Sequence, residues 1–219
     1  MISTADRQLN VMLLAVLVVL GLTMPPAVAA EPRLEVTPFA AYRLGGQFKT
    51  DEPANGGAGR TDVKDGAAWG MDFGLYRDAE SYYQFLYSRR DAGLDTDDAG
   101  LRGIDVRIEY FQVGGTLLLP QPAGHAGYIS LTIGLTRLAA LSGPYGDEHE
   151  FSASLGGGFR YPFTDRLHAN VGVRGYATFV DRNTDLVCIS DGGQAGCLLR
   201  SSGRTLWEVE GHAGLTFRF

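Results

Sequence analysis

Beyond residue 31 the chain is a succession of runs in which apolar and polar residues alternate with a period of two. The pattern is plainest in Thr205–Phe219. Trp207, Val209, Gly211, Ala213, Leu215, Phe217 and Phe219 fall on one side of that run, and Glu208, Glu210, His212, Gly214, Thr216 and Arg218 on the other. Such alternation marks a strand whose two faces meet different media. Seven earlier runs behave in the same way: Leu34–Leu44, Ala67–Tyr76, Ser81–Arg89, Ile104–Leu119, Gly127–Leu138, Glu150–Tyr161 and Leu167–Asp181. In the fourth, apolar residues hold the even positions up to Tyr110 and the odd positions from Val113. This slip predicts a β-bulge near Phe111–Gln112. The connections run long, short, long, short, long, short, long, with short ones at Arg77–Glu80, Pro120–Ala126 and Pro162–Arg166. Eight strands joined this way predict a barrel with short turns at one end and long surface connections at the other.

Alternation does not say which face is inside, since a soluble barrel buries its apolar face. Three features point to lipid on the apolar side. The polar face carries Gly70, Gly74, Gly114, Gly134, Gly156, Gly158, Gly172 and Gly214, and small residues relieve crowding in a narrow lumen. Aromatic residues gather toward strand ends: Phe159, Tyr161, Phe219 and Tyr83 at the lower rim, Trp69, Phe151, Phe179 and Tyr87 at the upper. Trp207 and Phe217 are ten positions apart, which spans about 25 Å for a tilted strand, the height of an apolar band. The last run also ends on an apolar residue after an export signal. The expected fold is therefore all-β, an eight-stranded antiparallel up-and-down transmembrane β-barrel with an N-terminal signal peptide.

That signal is residues 1–30. Arg7 precedes the apolar run Val11–Leu22, Pro25–Pro26 breaks it, and Ala29 and Ala30 both offer a cleavage point. Residues 31–219 form the barrel domain. A net charge of −6 argues against a nucleic-acid partner. Two lysines, Lys49 and Lys64, stand against an excess of arginine. Arginine suits a packed polar lumen or a lipid-phosphate surface, and a GC-rich genome accounts for the same skew.

The segments EVTPFAAYRLGGQF, LYSRRDAGL, VGGTLLLP, LGGGFRYPFTDRLHANVGVRGYATFV and CLLRSSGRTLWEVEGHAGLTFRF resemble uncharacterised proteobacterial outer-membrane proteins grouped with the OmpA-type barrel domain. The resemblance covers nearly all of Glu31–Phe219. It implies a monomeric, eight-stranded barrel of the Gram-negative outer membrane and supplies no catalytic residues. Full OmpA-type proteins add a peptidoglycan-binding domain after the barrel; with the sequence ending at Phe219, cell-wall tethering of that kind is not expected.

Candidate chemistry is sparse. Cys188 and Cys197 share the last long connection, and an exported chain meets an oxidising compartment, so a disulfide is expected there, contributing about 2–3 kcal/mol. The expected lumen side collects Glu35, Arg43, Asp72, Arg107, Glu109, Arg160, His168, Arg174, Glu208, Glu210, His212 and Arg218. Charges in a narrow barrel must pair or stay wet, so they read as an ion-pair plug or as a narrow gated conduit. His149 with Glu148, Ser142 and Ser152 could form a Ser-His-acid set at a rim where lipid A would sit, although the spacing is not diagnostic. Asp95, Asp97 and Asp98 could share divalent ions with lipopolysaccharide, without the spacing of a calcium loop. No metal and no cofactor is expected. The expected function is structural or surface-interacting, with a narrow channel as the alternative and a lipid A-modifying enzyme further behind. The expected partners are outer-membrane lipid, lipopolysaccharide, and the barrel-insertion machinery acting through the strand that ends at Phe219.

Overall fold

The computed structural model describes residues 34–50, 59–96, 105–121, 124–141, 147–180, 185–191, 194–200 and 205–219. The expected signal peptide with Ala29 and Ala30 lies outside the described residues, as do Asp97, Asp98 and Ser142. Among the described residues no helix is long and apolar enough to cross a membrane. The strands in chain order are β1 (Leu34–Gly45), β2 (Gln47–Thr50), β3 (Gly59–Val63), β4 (Gly66–Tyr76), β5 (Ser81–Thr96) and β6 (Asp105–Pro120). They continue as β7 (Ala126–Ala140), β8 (Asp147–Pro162), β9 (Leu167–Phe179), β10 (Asp185–Asp191), β11 (Gln194–Arg200) and β12 (Thr205–Arg218).

Eight of them, β1, β4, β5, β6, β7, β8, β9 and β12, pair antiparallel in that order. The first and last join, with Val36 opposite Phe217 and Arg43 opposite Glu210. The sheet is thus a closed barrel in which each of the eight staves has hydrogen-bonded neighbours on both sides. Closure removes sheet edges and satisfies the backbone internally, which a lipid environment demands.

Side-chain parity follows the pleat. Outward positions carry Leu131, Leu155, Val173, Val209 and Trp207, all more than half exposed. Inward positions carry Arg43, Gln112, Thr136, Ser152, Glu210 and Thr216, all fully buried. The eight polar-face glycines sit on the inward side. A Cβ at Gly114 would stand 2.0 Å from the Leu131 carbonyl oxygen, and one at Gly134 2.0 Å from that of Phe111. At these two points adjoining staves approach so closely that only glycine fits.

The short turns are built from local hydrogen bonds. In Arg77–Glu80, the Asp78 carboxylate accepts from the Ser81 hydroxyl at 2.8 Å, the Glu80 amide at 2.9 Å and the Arg77 guanidinium at 2.9 Å. These donors, Ser81 foremost, pull the Asp78 carboxyl down from 3.8 to about 2. A depressed carboxylate contributes stability above its unfolded value and loses it as pH falls through the folded one. The turn is therefore expected to loosen between roughly pH 4 and pH 2. Amide exchange at Glu80 and Ser81 checks this, and Asp78→Asn is expected to abolish the pH dependence.

Three sequence expectations need correction. First, β6 has no bulge. Its register is unbroken on both sides, through Phe111↔Tyr87 and Gln112↔Leu86 to β5, and through Phe111↔Leu135 and Gln112↔Gly134 to β7. The slip at Phe111–Gln112 records a change of medium. Val106, Ile108 and Tyr110 point inward into an apolar cluster with Leu86, Leu138, Tyr176 and Leu206. Arg107 and Glu109 therefore take the outward face of the wall, not the lumen. Second, the acidic connection is shorter than its composition suggests, because β5 continues through Thr96. Third, two long connections contain hairpins. β2 pairs with β3, which joins β5 at Thr61↔Thr96, and β10 pairs with β11. In the latter the register sets Cys188 opposite Cys197.

Candidate functional site

The lumen gathers buried charge, and it is organised in three tiers. The tier near the short turns is centred on Glu35. Arg160 holds its carboxylate with a fork of two bonds, each 2.9 Å, and Tyr76 donates to it at 2.7 Å. Arg160 also reaches the Tyr82 hydroxyl at 3.1 Å, and Arg218 reaches that of Tyr76 at 2.6 Å. Both guanidiniums lie over tyrosine rings, Arg160 at 5.5 Å from Tyr82 and Arg218 at 5.1 Å from Tyr76. Forked pairing and ring stacking both require arginine rather than lysine.

The tier near the long connections is centred on Glu208 and Glu210. Arg43 donates to Glu210 at 2.6 and 3.0 Å and to Ser88, and its guanidinium lies 3.7 Å from Glu208. Arg90 pairs with Glu208 and donates to the carbonyls of Arg43 at 3.1 Å and Gly45 at 3.0 Å. Tyr110 donates to Glu208 at 2.5 Å and Tyr176 to Glu210 at 3.1 Å. These two rings stack at 4.1 Å, and Arg43 lies 4.9 Å from the centre of each. Two cations thus face two anions, all fully or almost fully buried. The apolar cluster adjoins this tier.

Between them lies a tier of hydroxyl and amide side chains that also holds Asp72, Arg174 and His212. Thr116 donates to Gln84 at 2.8 Å, Gln84 donates to Asp72, and Thr132 donates to Gln112 at 2.7 Å. Arg174 donates to Ser154 at 3.0 Å, and Tyr128 shares a 2.8 Å bond with His212. A cavity of about 10 Å³ lies among Thr37, Asp72, Gln84, Asn170 and Arg174, which is room for about one water molecule. Asp72 Oδ1, Asn170 Oδ1, His212 Nδ1 and Ser130 Oγ are buried without a protein partner.

No protein-family model matches the sequence, and neither does any curated protein. Solved structures do match. Neisserial surface protein A aligns at 13% identity with a TM-score of 0.55, over 85% of this chain and 97% of that one. The outer-membrane protein OprG from Pseudomonas aeruginosa aligns at 12% identity and 0.58, over 86% and 96%. The outer-membrane protein AlkL, solved in lipid bilayers, aligns at 10% identity and 0.54, over 90% and 95%. The chain has the fold of an eight-stranded outer-membrane β-barrel.

Within that outer-membrane-type barrel, the charges expected in the lumen separate into groups. Arg160 and Arg218 meet at Glu35, Glu208 and Glu210 meet at Arg43, and Asp72 and Arg174 lie between. Arg107 and Glu109 join none of these. Arg107 bonds Asp91 at 2.9 Å on the outside, and Glu109 bonds Tyr87 at 2.8 Å and Arg137 at 2.9 Å. Arg90, Tyr110 and Tyr176 complete the Glu208–Glu210 tier and were not legible as such. Arg90 sat in an apparent loop, and Tyr110 read as lipid-facing. The signal that could have found Arg90 is the alternation itself, continued two residues beyond Ser88. Of the expected Ser-His-acid set, His149 faces outward while Ser152 points into the lumen and bonds Gln112 at 3.0 Å, so these two do not meet, and Ser142 lies outside the described residues. Among the described residues no cluster of three or more His, Cys, Asp or Glu side chains could hold a metal ion.

Proposed function

We propose that the chain resides in the outer membrane of a Gram-negative cell, exported by residues 1–30, and serves as a closed scaffold whose outer hairpins make its interactions. The observation that carries this reading is the pair of buried ion-pair tiers lying across the lumen, with space for about one water between them. A lumen filled this way favours a structural or surface-binding role over transport. Fractionation is expected to recover the protein with outer membranes, as a species whose gel mobility changes on heating. The purified barrel in planar bilayers is expected to carry no steady current, and a stable single-channel conductance would overturn the closed reading.

A narrow gated channel is the second reading. The unpartnered polar atoms of Asp72, Asn170 and His212 favour it, since they suit a wet middle section. We assign no catalytic role to His149 and Ser152, which occupy opposite faces. Lipopolysaccharide and the insertion machinery, engaged through the strand ending at Phe219, are the proposed partners of a monomer. The β10–β11 hairpin is proposed to be locked by a Cys188–Cys197 disulfide, since directly opposed antiparallel residues stand within disulfide reach. Mass spectrometry before and after reduction is expected to differ by two hydrogens. Replacing both cysteines by serine is expected to leave the barrel's thermal midpoint unchanged, because this hairpin forms a sheet of its own.

A further inference from the structure

The wall changes character at one corner of the rim that bears the long connections. β1 pairs with β12 only as far as Gly45↔Glu208, while β12 runs on beside β9 to Thr205. The chain leaving β1 turns away at Gly45 and Gly46, whose φ angles are +86° and +108°. Glycine adopts these without strain. The neighbouring stave breaks at the same level. Lys64 and Asp65 separate β3 from β4, and the register Arg43↔Gly66 sets that break beside Gly45. β2 and β3 pair with each other. Among the described residues their hairpin pairs with the barrel wall only along β5, from Thr61↔Thr96 to Val63↔Leu94. Val63 is buried in the apolar cluster that adjoins the Glu208–Glu210 tier, so the hairpin is folded toward the lumen.

We propose that the β2–β3 hairpin is a lid and that Arg90 is the latch coupling it to the Glu208–Glu210 tier. The purpose of the coupling rests on the reading above that the outer hairpins make the interactions. Arg90 donates to the carbonyls of Gly45 at 3.0 Å, Arg43 at 3.1 Å and Lys64 at 3.5 Å. One guanidinium thus holds both breaks. It also pairs with Glu208, and neither side chain is exposed. A Cβ at Gly46 would stand 3.0 Å from that of Val63 and 3.3 Å from Arg90 Nη2, so the lid's own backbone covers the ion pair. Lifting the lid removes carbonyl acceptors from Arg90 and lets water weaken its pair with Glu208. Losing Glu208 leaves a buried cation that hydration draws away from the breaks. Each event favours the other, and linkage makes the coupling reciprocal. A partner that binds the lifted hairpin loosens the tier, and one that binds the seated hairpin tightens it.

The test is amide exchange at single-residue resolution on the full mature chain in phosphatidylcholine vesicles. Two amides report the seating of the lid: Lys64, which donates to the Gly93 carbonyl at 3.0 Å, and Gly45, which donates to Asp65 at 2.9 Å. Val63 donates to the Gly46 carbonyl at 2.8 Å within the hairpin, and stays protected if the lid lifts as a unit. R90M and E208A are each expected to speed exchange at Lys64 and Gly45 by about ten- to a hundredfold, the worth of a charge-assisted hydrogen bond, and at Val63 by less. R160A disturbs the other tier and is expected to change these amides by less than about threefold. V63C/L94C in a C188S/C197S chain ties the lid to β5. Oxidised, it is expected to suppress the E208A effect, and reduction to restore it. Unchanged exchange at Lys64 and Gly45 in R90M and E208A would overturn the latch, as would an equal rise in R160A. An equal rise at Val63 would show fraying in place of a lid. If R90M and E208A do not insert, R90K, which keeps the cation but gives up the fork, is expected to show a smaller rise, and no rise would overturn the proposal. None of these failures touches the closed scaffold, which a steady current through the unaltered chain would sink without bearing on the latch.

Discussion

Replacing Glu208 by alanine is expected to destabilise the barrel by about 3–5 kcal/mol, the range for removing one partner from a buried ion pair. Three side chains converge on this carboxylate: Arg90, Arg43 at 3.7 Å and Tyr110 at 2.5 Å. Alanine leaves Arg90 with only backbone carbonyls and shifts the tier from two cations against two anions to two against one. Glu208→Gln keeps an acceptor for Tyr110 but donates a hydrogen where Arg90 also donates, so it is expected to recover only part of the loss. Equilibrium unfolding in urea from phosphatidylcholine vesicles measures both. A Glu208→Ala loss below about 1 kcal/mol, the size of an exposed pair, would mean that water already screens this tier.

The same tier shows how far the alternation could be read. Parity alone placed Glu208 and Glu210 inside, because β12 keeps one pattern from end to end, with lipid outside and polar packing inside along its length. It placed Arg43 and Arg160 inside for the same reason. Along β6 the identical rule failed, because parity reports which residues share a face and says nothing of what that face meets. From Gln112 to Leu117 the outside, with Val113 and Leu117, is apolar and the inside, with Gln112 and Thr116, is polar. Beyond Phe111 the outside carries Arg107 and Glu109 while the inside holds Ile108 fully buried. A single stave that crosses two media inverts its pattern without any kink in the backbone. Local sequence shows such an inversion as a slip, and only the pairing with β5 and β7 distinguishes it from a bulge. The pairings of Arg43 with Glu210 and of Arg160 with Glu35 were likewise beyond reach. They join staves 167 and 125 residues apart in the chain, and depend on barrel closure and stagger.

Arg160→Ala is expected to equal Glu208→Ala in cost, about 3–5 kcal/mol, because it leaves the fully buried Glu35 with Tyr76 and the partly exposed Arg218 at 3.5 Å. The decisive measurement is the combination. On β1 and β12 the tiers are anchored at Glu35↔Arg218 and Arg43↔Glu210, eight residues apart along each strand, hence about 26 Å. Losses so far apart add to within about 0.5 kcal/mol. The double variant Arg160→Ala/Glu208→Ala should therefore lose about 6–10 kcal/mol, comparable to the whole stability of an ordinary domain, and fail to give a heat-modifiable band. Arg43→Ala/Glu208→Ala removes one cation and one anion from a single tier and should lose clearly less than the sum of its parts. Conductance follows the same division. Each single variant is expected to stay silent in planar bilayers, since one intact tier still closes the lumen. A steady current from Arg160→Ala alone would show that the Glu208–Glu210 tier is open, and with it that the lumen is a gated conduit rather than a plug.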